Sequence, residues 1–147
     1  MHETRRASPE WLRVGVRVRC ASNRDDTRPL LVEVRNINAS DGPVYAQVMV
    51  PGALSGQSGN EAELAFSESD RGELTWRHLT LTPPEPVGSL DYNRWLADQI
   101  CVELARATAR LRLARHETRL GLVADIQQLA DELASVLHRT NPLGVTR

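Results

Sequence analysis

The chain of 147 residues contains no lysine, and all 18 of its positively charged side chains are arginines. This absence excludes the lysine of a phosphate-binding loop, a Schiff-base lysine, and a lysine that acts as nucleophile or base. Several large classes of enzyme and nucleotide-binding protein are therefore excluded by composition alone.

Cysteine and histidine are also scarce, and the few that occur are scattered. Cys20 and Cys101 lie in different halves of the chain, without histidines at the spacing of a zinc site. The four histidines form no His-x-x-x-His pair, and no serine lies in a nucleophile elbow. We therefore expect two free thiols, no metal, no cofactor and no catalytic residue. The protein is expected not to be an enzyme and to have no small-molecule substrate.

Long apolar runs are absent as well, since no stretch approaches the length of a membrane span. The first nine residues carry Arg5 and Arg6, but no apolar segment of a secretory leader follows them. We expect no contact with a membrane and a cytoplasmic location. The apolar fraction of 41% and the charged fraction of 25% are typical of a globular protein.

Short segments of alternating apolar and polar residues in the first half of the chain predict β-strands. Such alternation places every second side chain on one face of a strand, as a half-buried sheet requires. A glycine- and serine-rich stretch, residues 51–60, interrupts them and is expected to be an exposed loop. The five predicted strands are residues 11–19, 30–37, 44–50, 62–66 and 73–81.

The order of these strands resembles that of SH3-like and Tudor-like barrels. The resemblance rests on the opening Trp-Leu-x-x-Gly-x-x-Val, which starts at Trp11, and on a closing strand that runs into Pro83, Pro84 and Pro86. It implies a small antiparallel β-barrel or rolled sheet over about half of the chain. It implies no particular ligand, because barrels of this kind serve many functions.

The remainder of the chain is predicted to be helical. Asp91 is the expected N-cap, and Leu90 and Trp95 are expected to form a hydrophobic staple across it. No proline occurs between residues 92 and 138, and Asn141-Pro142 is typical of a helix end. The fold class is therefore α+β, a barrel followed by a long amphipathic helix or a two-helix segment. The expected organisation is a tail (1–9), a barrel (10–82), a proline-rich linker (83–89), a helical segment (90–140) and a second tail (141–147).

Apolar residues recur along the helical segment in alternating steps of three and four, which is the heptad pattern of a helix–helix seam. One longer step occurs near Gly121. A stutter in an unbroken helix explains this step, and so does a break near Gly121 that would produce two antiparallel helices. We favour a continuous or kinked helix, because residues 116–122 lack turn residues and a second N-cap. The predicted seam consists of Ile100, Leu104, Ala107, Leu111, Ala114, Leu122, Ile126, Leu129 and Leu133.

A seam of this length exceeds what one small barrel can cover, so we expect another surface to cover it. The charges are also segregated: residues 106–119 contain five arginines and only one acidic residue, whereas residues 120–138 contain three acidic residues and no arginine. Such blocks are typical of surfaces that meet a complementary surface. The first hypothesis is thus a non-catalytic assembly or adaptor protein that self-associates or docks on a protein partner.

Two sets of arginines support a second hypothesis, a nucleic-acid-binding accessory or regulatory factor, including one encoded by a phage or mobile element. Arginines on one helix face or one sheet face can contact a phosphate backbone. Both sets also have the ordinary interpretation of a solvated or partner-facing surface. The helical set is Arg106, Arg110, Arg112, Arg115 and Arg119, of which the last three are expected on one helix face, and the strand set is Arg13, Arg17 and Arg19.

Overall fold

The computed structural model describes residues 8–23, 28–38, 43–52 and 61–140, with only the backbone of residue 140. The predicted tails and the predicted loop at 51–60 lie wholly or mostly outside these residues. The chain divides into two compact units, Met1–Pro84 and Glu85–Arg147.

The first unit is a closed antiparallel β-barrel, which confirms the predicted fold class. Each strand pairs with the next along the chain, and β1 closes the barrel by pairing with β6, where Cys20 lies opposite Leu81. The strands are β1 (Arg17–Ser22), β2 (Leu30–Asn38), β3 (Tyr45–Val50), β4 (Ala62–Glu68), β5 (Leu74–Trp76) and β6 (Leu79–Thr82).

The barrel forms because alternate residues of its strands are apolar and point inwards. In β3, for example, Ala46, Val48 and Val50 are fully buried, whereas Tyr45 and Gln47 are exposed. Buried residues of neighbouring strands are paired in register, so that the interior is lined almost entirely by aliphatic side chains. Such pairs include Val18 with Val32, Val34 with Val48, Ala46 with Phe66, and Leu74 with Leu81.

The first strand begins six residues later than predicted. Gly15 adopts a φ angle of 90°, which L-residues rarely adopt, and its N–H donates to the carbonyl oxygen of Val34 at 2.8 Å. This turn interrupts the alternation, so Leu12 and Val16 are buried while Val14 is 52% exposed. The alternation predicted for residues 11–19, which would place Val14 on the same face as Leu12 and Val16, was therefore wrong at this position.

The last predicted strand is in fact two strands, which raises the number from five to six. A tight turn at Arg77 and His78 separates β5 from β6, and Arg77 has a positive φ angle of 53°. Trp76 and Leu79 face each other across this turn. The guanidinium of Arg77 lies 4.7 Å from the centre of the Trp76 ring. At this distance a cation–π interaction stabilises the turn.

The second unit contains two helices, α1 (Leu90–Leu113) and α2 (His116–Thr140). The N-cap of α1 is Ser89, whose hydroxyl oxygen accepts a hydrogen bond from the backbone nitrogen of Tyr92 at 3.1 Å. The prediction of Asp91 as N-cap was wrong; Asp91 lies in the first turn instead, where a carboxylate is favoured by the helix dipole. With Ser89 as the cap, Leu90 is inside the helix, so the predicted staple between Leu90 and Trp95 was wrong as well.

The helical segment folds back on itself as an antiparallel hairpin. Only Ala114 and Arg115 connect α1 to α2, and the two helices pack against each other. Ala114 has the extended backbone angles −76° and 148°, and its N–H still donates to the carbonyl oxygen of Leu111 at 3.3 Å. The preference for one continuous helix was therefore wrong. The reversal uses only these two residues, neither of which is a glycine or a proline.

A helical hairpin as candidate docking surface

Eight of the nine predicted seam residues lie in α1 and α2, which pack against each other, and the ninth, Ala114, lies in their connection. Ile100 and Ala107 are buried, and the other seven are half-buried. Val136, which continues the same spacing, is also buried. The hairpin therefore buries part of the seam within the chain itself, whereas the sequence suggested that another surface would bury it. Two helices alone enclose a seam incompletely, which explains why most of it retains solvent exposure.

The hairpin has two sides, which differ in chemistry. Successive residues of a helix are rotated by about 100°. Because both helices are right-handed and run in opposite directions, the residue that follows a seam residue lies on the same side of the hairpin in both helices. The residue that precedes a seam residue lies on the opposite side.

The side that carries the residues following the seam residues is called the open side. All nine of its residues are exposed, although six of them are apolar or small (Cys, Ala, Val or Leu). Val123 is 37% exposed and Leu137 is 50% exposed. The open side consists of Cys101, Ala105, Thr108 and Arg112 of α1, and of Val123, Gln127, Ala130, Ala134 and Leu137 of α2.

The side that carries the residues preceding the seam residues is called the polar side, because most of these residues are typical of an ordinary solvated surface. They include one glycine and one large apolar residue, Leu113 at the connection, and five of them are charged. The contrast with the open side over the rest of the hairpin indicates that the two sides meet different surroundings. The polar side consists of Gln99, Glu103, Arg106, Arg110 and Leu113 of α1, and of Gly121, Asp125, Gln128, Glu132 and Ser135 of α2.

The five helical arginines lie together at the tip of the hairpin, which we define as residues 106–119. All five are exposed. The prediction that Arg112, Arg115 and Arg119 share one helix face was wrong, because α1 ends at Leu113 and α2 begins at His116. The three arginines are instead grouped around the connection, where Arg119 donates to the carbonyl oxygen of Ala114 at 3.4 Å.

The arginines of the barrel do not form the expected row. Arg17 and Arg19 are exposed on β1, but Arg13 precedes the strand and donates to the carbonyl oxygen of Glu10 at 3.1 Å. Arg17 lies opposite Glu33 in the β1–β2 register. Glu33 also forms an exposed ion pair with Arg35 at 3.5 Å. A carboxylate beside Arg17 reduces the positive potential of this face.

Two highly exposed leucines were missed by the sequence reasoning. Leu113 is 88% exposed and Leu120 is 83% exposed, and both flank the connection of the hairpin. A continuous helix would not have brought them to a common end of the unit. The sequence of α2 did contain a signal for the open side, because Val123, Ala130 and Leu137 recur at steps of seven, between the seam residues Ile126 and Leu133.

The reactive side chains of the described residues are dispersed. No group of three or more His, Cys, Asp or Glu side chains in this part of the chain is placed to hold a metal ion. Both cysteines are free, as predicted, with Cys20 buried and Cys101 exposed. Burial of Cys20 removes its thiolate from water and raises its pKa from 9.0 to about 11. This thiol is therefore a packing residue and not a nucleophile at neutral pH.

The comparisons with known proteins identify no relative. Neither the family models nor the curated proteins nor the solved structures contain a match to this chain. Among the helices that the structure describes, none has the length and apolar character needed to cross a bilayer.

Proposed function

We propose that this chain is a non-catalytic assembly or adaptor protein whose helical hairpin binds a protein surface. One observation carries the proposal: all nine residues of the open side are exposed and six of them are apolar or small, whereas five residues of the polar side are charged. A helix pair with water on both sides would gain no stability from having apolar residues on one side and charged residues on the other. Exposed apolar side chains that share one side of a helix pair are typical of sites of protein association.

The half-buried seam supports the same proposal. Leu104, Leu111, Leu122, Ile126 and Leu133 retain partial exposure at the junction of α1 and α2. Each Å² of apolar surface removed from water contributes about 25 cal/mol, so a partner that covers the open side also gains from these residues. The arrangement favours a second layer of helices over the hairpin.

The proposed location is the cytoplasm, where glutathione and thioredoxin keep thiols reduced. It is supported by the two unpaired cysteines, one of which is exposed on α1. An exposed free thiol would be prone to oxidation in a secreted protein.

Site-specific photocrosslinking in the source cells tests the proposal. A photoreactive amino acid at Ala105 or Ala130, on the open side, is expected to give covalent adducts with protein. The same group at Ala109 or Ala124, which are exposed alanines on the outer faces of the same helices, is the matched control. Equal adducts at all four positions, or none at any of them, would contradict a docking function for the open side.

Nucleic-acid binding is a second candidate, and the tip of the hairpin favours it. Five exposed arginines lie there with Glu117 as the only acidic residue of the segment. Binding to duplex or single-stranded oligonucleotides should weaken steeply as salt rises, because phosphate contacts release counterions. Charge reversal at Arg110 and Arg115 should flatten that salt dependence. No binding at low salt would exclude this candidate.

A further inference from the structure

Strand β4 is paired fully along one of its edges and only partly along the other. On the first edge it pairs with β3 from Ala62 to Ser67. On the second edge, β5 pairs with Ser67 and Glu68 alone. Among the strands that the structure describes, residues 62–66 therefore have a neighbour on one side only, and we call their other side the free edge.

Two hydrogen bonds show which backbone groups point to the free edge. In an antiparallel strand the N–H and C=O of one residue point to the same neighbour, and successive residues alternate. The N–H of Glu68 donates to the carbonyl oxygen of Val44 at 2.9 Å, so the even-numbered residues of β4 face β3. The N–H of Ser69 donates to the carbonyl oxygen of Glu73 at 2.7 Å, so the odd-numbered residues face the other way. Glu63 and Ala65 therefore direct their N–H and C=O groups to the free edge.

These four backbone groups are accessible to another molecule. The side chains of Glu63 and Ala65 are exposed, and within the described ranges no backbone group bonds to them on the free edge. Two N–H donors and two C=O acceptors in strand geometry are all matched at once only by a second extended polypeptide. The backbone of β4 thus specifies the conformation of the occupant.

The side chains along the free edge specify the chemistry of the occupant. An added strand places its alternate side chains on the same two faces as those of β4. Glu61, immediately before β4, and Glu63 are both exposed, whereas Leu64 on the inner face is only 6% exposed. Opposite charges directly across a strand pair stabilise it and like charges destabilise it. Basic residues are therefore favoured opposite Glu61 and Glu63, and an apolar residue opposite Leu64.

We propose that the free edge of β4 binds an extended segment of a partner protein as an added strand, with basic residues at alternate positions facing Glu61 and Glu63. This surface lies on the barrel and is additional to the docking surface proposed on the helical hairpin. A second copy of the chain is a poorer occupant, because edge-to-edge pairing would place the same glutamates of both copies on one face.

Binding of two labelled peptides to the full-length chain is the first test. A peptide of alternating valine and arginine is expected to bind, and a peptide of alternating valine and glutamate is not. The double variant Glu61→Arg and Glu63→Arg should reverse this preference. Absence of binding by the arginine peptide, or an unchanged preference in the folded double variant, would overturn the proposal.

A backbone substitution tests strand addition separately from charge. Ala65→Pro removes an N–H from the free edge and leaves the pairing with β3 intact, since the N–H of Ala65 does not face β3. It should weaken binding of the arginine peptide by about tenfold or more. Ala65→Thr keeps the N–H and is the matched control, with affinity close to that of the wild type. Equal affinity of the proline variant would mean that the peptide binds elsewhere.

Amide hydrogen exchange provides an internal control within β4 and needs no substitution. The amides of Glu63 and Ala65 should exchange rapidly in the free protein and slowly in the presence of the arginine peptide. The amide of Leu64 faces β3, opposite Val48, and should be protected in both states. Protection of Glu63 and Ala65 without peptide would overturn the proposal: at every concentration it would mean that the chain covers its own edge, and only at high concentration that a second copy does. The photocrosslinks on α1 and α2 test the hairpin proposal independently of these outcomes.

Discussion

The hydroxyl of Ser89 accepts a hydrogen bond from the backbone nitrogen of Tyr92 at 3.1 Å and donates one to the carbonyl oxygen of Pro86 at 2.7 Å. Ser89 therefore joins the end of the proline-rich segment to the first turn of α1. Asp91, two residues later, lies in the same first turn, where the helix dipole favours a carboxylate.

Removal of the cap should destabilise the helical unit more than removal of the neighbouring charge. Ser89→Ala is expected to lower the free energy of unfolding by about 1 kcal/mol, because the N–H of Tyr92 loses its acceptor. Asp91→Ala is the control and should cost only about 0.3–1 kcal/mol, and less at high salt. Urea unfolding followed by circular dichroism measures both. A larger loss for Asp91→Ala would show that Asp91 is the cap after all.

A proline at the first residue of α2 distinguishes a hairpin from a continuous helix. His116 occupies the position where the backbone N–H has no partner within the helix, so His116→Pro should leave the melting temperature nearly unchanged. Leu120→Pro, four residues later at an equally exposed position, should destabilise the protein by about 3 kcal/mol or more. Thermal melts of both variants provide the comparison. Equal damage from the two prolines would argue for an unbroken helix.

Gly121 weakens α2 and can be replaced without a steric conflict. A Cβ atom added at this position would meet no other atom within 4 Å. Gly121→Ala should therefore stabilise the protein by up to about 1 kcal/mol, because alanine restricts the unfolded chain and favours the helix. Chemical denaturation measures the change. A loss of stability on this substitution would mean that the space around Gly121 is not open, contrary to the structure.

The two thiols should differ in reactivity and in their effect on stability. A thiol reagent should modify the exposed Cys101 in the folded protein and Cys20 only after unfolding. Because the pKa of Cys20 is about 11 when folded and 9.0 for the unperturbed thiol, the unfolded chain loses this proton first as pH rises. Its contribution to stability is therefore complete below pH 9 and declines between pH 9 and 11, by at most about 2.7 kcal/mol.

A matched variant isolates this alkaline effect. Cys20→Ala removes the ionisable group, so its stability should fall less steeply than that of the wild type between pH 9 and 11. Cys101→Ser, at the exposed position, should follow the wild-type profile. Parallel pH profiles for all three proteins would mean that the Cys20 thiol does not resist ionisation in the folded barrel.

Much of the fold could be predicted, because its signals are local in the chain. Alternation in Tyr45–Val50 specifies which side chains of β3 enter the barrel, and the seam spacing specifies which side of each helix is covered. The interruptions were harder to predict. Gly15 and Arg77 change direction through single positive φ angles, and an arginine gives no sequence signal for such a turn.

The candidate site was harder to predict for a different reason. The position of the reversal at Ala114 depends on the packing of the two helices against each other, and no turn residue marks it. In one continuous helix, Arg112 and Arg119 would both lie on that helix, and there would be no hairpin and no open side. The apolar row through Val123 and Ala130 could have been found by its spacing, but the pairing of the two rows could not.

The closed ring of paired strands from β1 to β6 restricts how the barrel can bind other molecules. Each of the six described strands pairs with two neighbours, so an extended peptide could add a strand only where one strand extends past the next, as residues 62–66 of β4 extend past β5. Elsewhere on the described barrel, recognition depends on outward side chains such as Tyr45 and Leu31, and therefore on surface shape and charge.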